Sequence, residues 1–299
     1  MSRRGLALFA LMSLVWGVPY LLIKVAVRHL SPAMVVESRT MIGAVLLMPL
    51  AIREGRIRDL LLVWRPLAVY CVCELAIPWL LLSDAEKKLP SSLSGLLVAT
   101  VPLISALAAY AIGDHAMLDR RAVAGLLIGF GGVMVLLGLD VHGAQLGSVG
   151  LVILVAVGYT IGPLLTARYF SAQSSLALAA VSLAAVAIGY LPVTIVAHPS
   201  RVPPATVTLS VIGLGVVCTA IAFVAFFELL KEMPPTQATL ITYFNPLVAV
   251  ALGVVVLGES FKLATALGLV LILAGSWFAT GRSRRRETIR RPAAGRRPG

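Results

Sequence analysis

Charge is what this sequence has least of. Asp, Glu, Lys and Arg make up 13% of 299 residues, about half of the ~25% that a soluble domain carries. With 59% of its residues hydrophobic, such a chain cannot cover its surface for water. Cysteine is scarce too: Cys71, Cys73 and Cys218 each fall inside an apolar run, which argues against both a disulfide framework and a zinc site. His29, His115, His142 and His198 stand singly at segment ends, so no metal ligand set is expected. Glycine-rich phosphate loops are missing, which argues against ATP-driven work by this chain. Nothing in the sequence requires a cofactor.

What is present in their place is a series of long apolar runs, with a mean hydropathy of +0.97. The runs predict an all-α, polytopic membrane protein with ten transmembrane helices near 5–25, 32–52, 66–83, 91–112, 122–140, 147–167, 175–197, 207–229, 235–257 and 263–281. Each is close to the ~20 residues a helix needs to cross the hydrocarbon. Continuous runs, in place of alternation, favour helices over a barrel. The opening MSRRGLALFALMSLVWG imitates a signal peptide but shows no clear cleavage site, so it reads as the first helix.

Basic residues set the expected orientation. With the N-terminus inside, ten of them (Arg3, Arg4, Arg53, Arg56, Arg58, Arg65, Arg120, Arg121, Arg168 and Lys231) face the cytoplasm, against five outside (Arg28, Lys87, Lys88, Arg201 and Lys262). Another 8 of the 25 basic residues lie in the stretch from Arg282 to Gly299, read as a disordered cytoplasmic tail held near lipid headgroups. The net charge of +12 therefore does not imply nucleic acid. Both termini are expected in the cytoplasm, and the membrane is expected to be the inner (cell) membrane.

The chain reads as though written twice. KKLPSSLSGLLVATVPL from Lys87 aligns with KEMPPTQATLITYFNPL from Lys231, matching Pro90 with Pro234 and Pro102 with Pro246. The same spacing puts Pro19 on Pro163 and Lys24 on Arg168, and slipping by one residue puts Gly125 and Gly132 on Gly268 and Gly275. Residues 1–140 and 141–281 are thus expected to be five-helix repeats. Five is odd, so the second repeat would enter the membrane inverted, an architecture recurrent in secondary transporters. Pro102 and Pro246 are expected near mid-span, where broken backbone is tolerated only against protein or a wet cavity. Pro19, Pro102, Pro163 and Pro246 are the candidate kink or gating positions.

These residues resemble the EamA-like transporter family of the drug/metabolite transporter superfamily, ten-helix proteins made of two five-helix halves. The resemblance rests on WGVPYLLIK at Trp16–Lys24, on SPAMVVESR ending at Arg39, on the two proline segments, on Gly258 and Glu259, and on the Gly268/Gly275 helix. It covers roughly residues 6–281. Asp114 stands where the family usually has glutamate, and Tyr159 and Thr160 lie near the place of a usual tryptophan. The resemblance implies export or exchange of small metabolites, such as amino acids or drug-like compounds, across a bacterial inner membrane. A lipid or lipid-linked flippase on the same fold is the alternative. A membrane-embedded enzyme is weaker, because no catalytic cluster occurs in the loops.

Ionisable groups inside a membrane are functional candidates. Lys24, Glu37, Arg39 and Glu74 qualify, and two charges of each sign suggest mutual neutralisation. Glu37 and Arg39 point about 200° apart on a helix and cannot share one cavity. Arg39 reads as a tie to a neighbouring helix. Glu74, near the centre of the third span, is the candidate for proton exchange, with protons as a possible coupling ion. Asn245 demands a partner in hydrocarbon. Trp16, Tyr20, Trp79, Tyr159 and Tyr243 are candidates to line a cavity or to anchor at the interface. The translocation pathway is thus expected among Lys24, Glu37, Arg39, Glu74, Asn245, Tyr243 and Trp16.

Overall fold

In a computed structural model of the chain, residues 2–111, 120–140, 145–197, 202–233, 238 and 240–280 are described. Asp114, Pro234, Thr239 and the basic tail from Arg282 to Gly299 lie outside them. The described residues form helices and contain no strand. The ten principal helices are α1 (Arg3–Ala26), α2 (Pro32–Glu54), α3 (Trp64–Ala85), α4 (Ser91–Ala111), α5 (Arg120–Asp140), α6 (Leu146–Tyr169), α7 (Ser175–Val196), α8 (Ala205–Glu232), α9 (Ile241–Leu257) and α10 (Leu263–Thr280). Eight of these are long and apolar enough to cross a membrane, while α9 and α10 are shorter apolar helices. A short helix at Ile57–Leu61, absent from the sequence reading, leads into α3.

Local chemistry explains where the helices start and stop. Serine hydroxyls at Ser2, Ser31 and Ser174 accept the free N–H groups of Gly5, Met34 and Ala177, the usual cap for a helix start. Gly55 and Gly258 close α2 and α9 in the left-handed region, at φ of 75° and 68°, where a side chain would be strained.

The prolines behave in two ways. Pro19 and Pro102 stand in the first turn of a new segment after a true break, at Trp16–Val18 in α1 and at Ala99–Thr100 in α4. In the first turn the missing N–H costs little. Pro163 and Pro246 lie inside helices assigned as continuous. Pro246 sits in the second turn of Ile241–Leu257, and Ala238 just before that helix is helical as well; residues 234–237 and 239 lie outside the described ones. Helix α3 and helix α8 each contain one π-helical segment, Cys71–Ala76 and Val216–Ile221, starting 145 residues apart. In α3, Pro78 has no N–H for the Glu74 carbonyl, and Ile77 N–H bonds back to Val72.

The helices pack in a reciprocal scheme. Helix α2 lies along α7, α5 along α10, and α4 against α9; α1 contacts α8 and α9 just as α6 contacts α3 and α4. Adding five to each number, counting round from ten, converts one set into the other. The α5–α10 contact is very close, since a Cβ on Gly275 would meet the Gly129 backbone. Polar bonds sort the helix ends into two groups. Arg4 pairs with Glu228 at 2.7 Å and Lys231 with the same carboxylate at 2.7 Å, placing Lys231 at the end that holds residue 4. Lys24, at the opposite end of α1, meets the α3–α4 connection, which carries Lys87. Lys87 and Lys231 therefore stand at opposite ends of the bundle.

Candidate functional site

The middle of the bundle holds a cluster of large polar and aromatic groups drawn from five helices. Arg39 on α2 is 7% exposed and lies flat on the Trp79 ring of α3, 3.7 Å from its centroid. Its Nε donates to Thr219 Oγ1 at 2.8 Å and its Nη2 to the Cys218 carbonyl at 3.4 Å. Both acceptors belong to the π-helical segment of α8, and Thr219 in turn donates to the Leu214 carbonyl at 2.8 Å. The π-helical segment thus supplies one hydroxyl and one carbonyl oxygen to the guanidinium. Nη1 takes no protein acceptor among the described residues.

Two tyrosines sit beside this arginine. Tyr20 on α1 and Tyr159 on α6 are within electrostatic reach of Arg39 and of each other, and Tyr159 also lies near Trp79 and Glu74. Glu74 occupies the π-helical segment of α3, and its Oε2 is buried with no hydrogen-bond partner among the described residues. It fits because α6 carries glycine opposite: a Cβ on Gly162 would overlap the Glu74 carboxylate. One turn away, a Cβ on Gly158 would overlap the Cys73 carbonyl. Small residues on α6 thus admit an acid and a loosened backbone side by side.

The remaining candidates lie elsewhere. Lys24 Nζ donates to the carbonyls of Glu86 at 2.6 Å and Leu89 at 2.8 Å, so it ties α1 to the end of α3. Glu37 is half-buried and accepts from the Ser38 hydroxyl at 3.3 Å. Trp16 packs on Phe226 of α8 at 4.8 Å, and Tyr243 packs edge-on to Trp277 of α10 at 6.1 Å. The expected neutralisation among Lys24, Glu37, Arg39 and Glu74 does not form. Ion pairs among the described residues join other groups near the helix ends. Carbonyls of the α3–α4 connection take Lys24 instead, and a hydroxyl and a carbonyl of α8 take Arg39.

Asn245 shows the same logic. In α1, Gly17 N–H turns to the Leu14 carbonyl, which leaves the Ser13 carbonyl without its helical donor. With its nitrogen facing α1, the Asn245 amide donates to Ser13 O at 3.2 Å and to Ile241 O at 3.0 Å. The amide on α9 therefore caps the break in α1. In α4, Leu103 N–H turns to Thr100 O, and the Ser276 hydroxyl of α10 donates to the freed Ala99 carbonyl at 3.2 Å.

Sequence reasoning missed Glu86, Thr219 and the role of Glu259. The Glu259 carboxylate accepts from Ser91 N at 2.7 Å, Ser91 Oγ at 2.9 Å and Ser92 N at 3.0 Å, capping α4 from across the bundle. Gly258 and Glu259 were visible as a pair, but not the helix start that they serve. Glu86 was hidden because it adjoins Lys87 and Lys88 and reads as loop.

Comparison with known proteins fits this architecture. The model of the EamA-like transporter family matches the chain twice, over residues 3–138 and 146–281. The inner membrane transporter YedA of Escherichia coli K12 is 27% identical over 273 residues, covering 89% of this chain and 87% of that one. A protein of Streptantibioticus cattleyicolor named "Probable terminal-alkyne amino-acid exporter" is 27% identical over 244 residues, 80% of each chain. The transporter YvbV of Bacillus subtilis 168 is 23% identical over 279 residues, 91% of this chain and 90% of that one. A solved crystal structure superposes with a TM-score of 0.66 at 22% identity, over 96% of this chain and 100% of that one. Ten packed helices around a buried polar centre, matched by the family model in both halves, make this chain a member of the EamA-like transporter family.

Proposed function

We propose that this transporter is a secondary active exporter or exchanger of small metabolites, amino acids or drug-like compounds, working by alternating access. The observation that carries the reading is the mid-bundle cluster of Tyr20, Arg39, Trp79 and Tyr159, with the unpartnered Glu74 beside it. Its members come from α1, α2, α3 and α6, helices of both halves. Arg39 Nη1 and the two tyrosines offer donors to an anionic or polar solute, and Trp79 offers an aromatic wall. Glu74 is the group that carries the coupling proton.

An inverted repeat with its site between the halves supports alternating access. The reciprocal helix packing, the equivalent π-helical segments and the opposite placement of Lys87 and Lys231 all favour that repeat. Both termini face the cytoplasm of a bacterial inner membrane in this reading, by the distribution of basic residues. The relative named as an amino-acid exporter favours outward transport of such solutes.

The test is a metabolite screen of cells with and without overexpression, followed by flux measurements in proteoliposomes. We expect one class of small metabolite to accumulate outside, with Glu74→Gln abolishing its gradient-driven movement. Unaltered external metabolites, or flux that ignores Glu74, would remove the respective part of the reading.

A further inference from the structure

Glu86 closes the end of α3, just beyond its membrane-spanning stretch, and is 0% exposed. Neither carboxyl oxygen has a hydrogen-bond partner among the described residues. Its neighbours make this unusual. Lys24 of α1 acts on the Glu86 carboxyl electrostatically, yet its ammonium is spent on the main-chain carbonyls of Glu86 and Leu89. Glu259, from the α9–α10 connection, brings a second carboxylate that is saturated by the start of α4. Tyr20 of α1 and Tyr159 of α6 are within electrostatic reach of Glu86, and Arg28 is within reach of Lys24.

A carboxylate shut away from water without donors is far more costly than a neutral carboxylic acid. Burial pushes the Glu86 carboxyl well above the usual carboxylate range; Lys24 opposes the shift and Glu259 adds to it.

We propose that Glu86 is a proton-binding site at this end of the bundle, holding its proton while the end is sealed and releasing it when water enters. Closure of this end is then linked to uptake of one proton. The inference rests on the alternating-access reading for the opening step, and it adds a second titrating acid, distinct from Glu74. The sign follows from the affinity difference. The sealed form has the higher proton affinity, so acid favours sealing, and the advantage is lost as pH rises through the sealed-state value. By the expected orientation this is the outer end, so external protons would close it.

Two measurements on the purified full chain in lipid nanodiscs test this without a known substrate. Infrared difference spectroscopy should show a protonated-carboxyl C=O band at neutral pH that persists in Glu74→Gln, shifts in Glu86→Asp and is lost in Glu86→Gln. In the Glu74→Gln background, a band that survives Glu86→Gln overturns the proposal, and the Asp variant guards against a folding artefact. Next, Ser94→Cys, at a fully buried position in the first turn of α4, is placed in a chain with the three native cysteines changed to alanine. Its labelling by a charged maleimide should rise with pH beyond that of the same chain carrying Glu86→Gln, with an excess of up to about tenfold per pH unit for one linked proton. Equal pH profiles in the two chains overturn the link to opening. Absence of transport with both signals present would instead sink the transporter mechanism and leave the proton site standing.

Discussion

Replacing Glu259 by alanine should loosen a helix whose first residue lies 168 positions away in sequence. Its carboxylate accepts from two backbone N–H groups, at 2.7 and 3.0 Å, that would otherwise be orphaned at the start of α4. Losing an ordinary N-cap costs about 1–2 kcal/mol, and bonds to a charged acceptor are worth about 1.5–3 kcal/mol each. Glu259 is half-buried, so water replaces part of the loss. The net cost is expected near ~2 kcal/mol, and about half of that for Glu259→Gln, which keeps an oxygen acceptor but loses the charge at a helix start. A local cost of ~2 kcal/mol corresponds to about thirtyfold in an opening equilibrium. Hydrogen exchange at the Ser91 and Ser92 amides of the protein in nanodiscs should accelerate by that factor in Glu259→Ala, less in Glu259→Gln and least in Ser91→Ala. Unchanged exchange at those two amides in Glu259→Ala refutes the cross-bundle cap.

Other perturbations separate packing from transport. Gly275→Ala would press a methyl into the Gly129 backbone, which cannot yield as a side chain does; a loss of about 1–3 kcal/mol is expected in mixed-micelle unfolding, against no change for Gly131→Ala, which meets nothing within 4 Å. Gly162→Ala should displace Glu74, lowering flux far more than expression, and equal losses of both would reject the notch. Arg39→Lys keeps the charge but loses the Nε bond to Thr219 and the flat stacking on Trp79. It is expected to reduce flux by about tenfold, the weight of ~1.4 kcal/mol; wild-type flux would show that charge alone suffices. Asn245→Ala frees the Ser13 carbonyl at a cost of about 0.6–1.7 kcal/mol. It should alter transport or selectivity more than membrane insertion, which pulse labelling can compare directly.

The helices were legible because hydropathy in a bilayer is a strong, local signal. A window of apolar residues must be helical when lipid offers no partner to the backbone. Arg39 was legible for a similar reason, since a lone guanidinium seven residues into an apolar helix must find carbonyls. What stayed hidden depends on register between distant helices. Nothing around Val216–Ile221 marks a π-helical turn; there is no proline there, and the segment is explained only by Arg39 and Thr219 using its oxygens. Pro78 was a usable signal for the equivalent turn in α3. Glu86 was obscured by a boundary drawn two residues short of Ala85, which placed it with the charged loop in place of the buried helix end.

The broken helices and the charged residues have one explanation in common. A gap in a helix exposes carbonyls that lipid cannot satisfy, so each gap requires a donor from another helix. Asn245 supplies it for α1, Ser276 for α4 and Arg39 for α8. These donors sit on α9, α10 and α2, and each bond therefore fixes the position of one helix against another. The regular pairs, α2 with α7 and α5 with α10, are joined largely by close apolar packing, with glycines bringing α5 and α10 together. The interrupted helices α1, α3 and α8 surround the polar cluster and, besides apolar packing such as Trp16 on Phe226, carry carbonyls bonded by Lys24 and Arg39. Bonds of about 1 kcal/mol each can be traded during a change of shape, whereas a glycine-packed interface cannot be separated without losing its whole contact. Under the alternating-access proposal, the same residues that make the mid-membrane backbone tolerable would separate a rigid frame from the helices that move around the site.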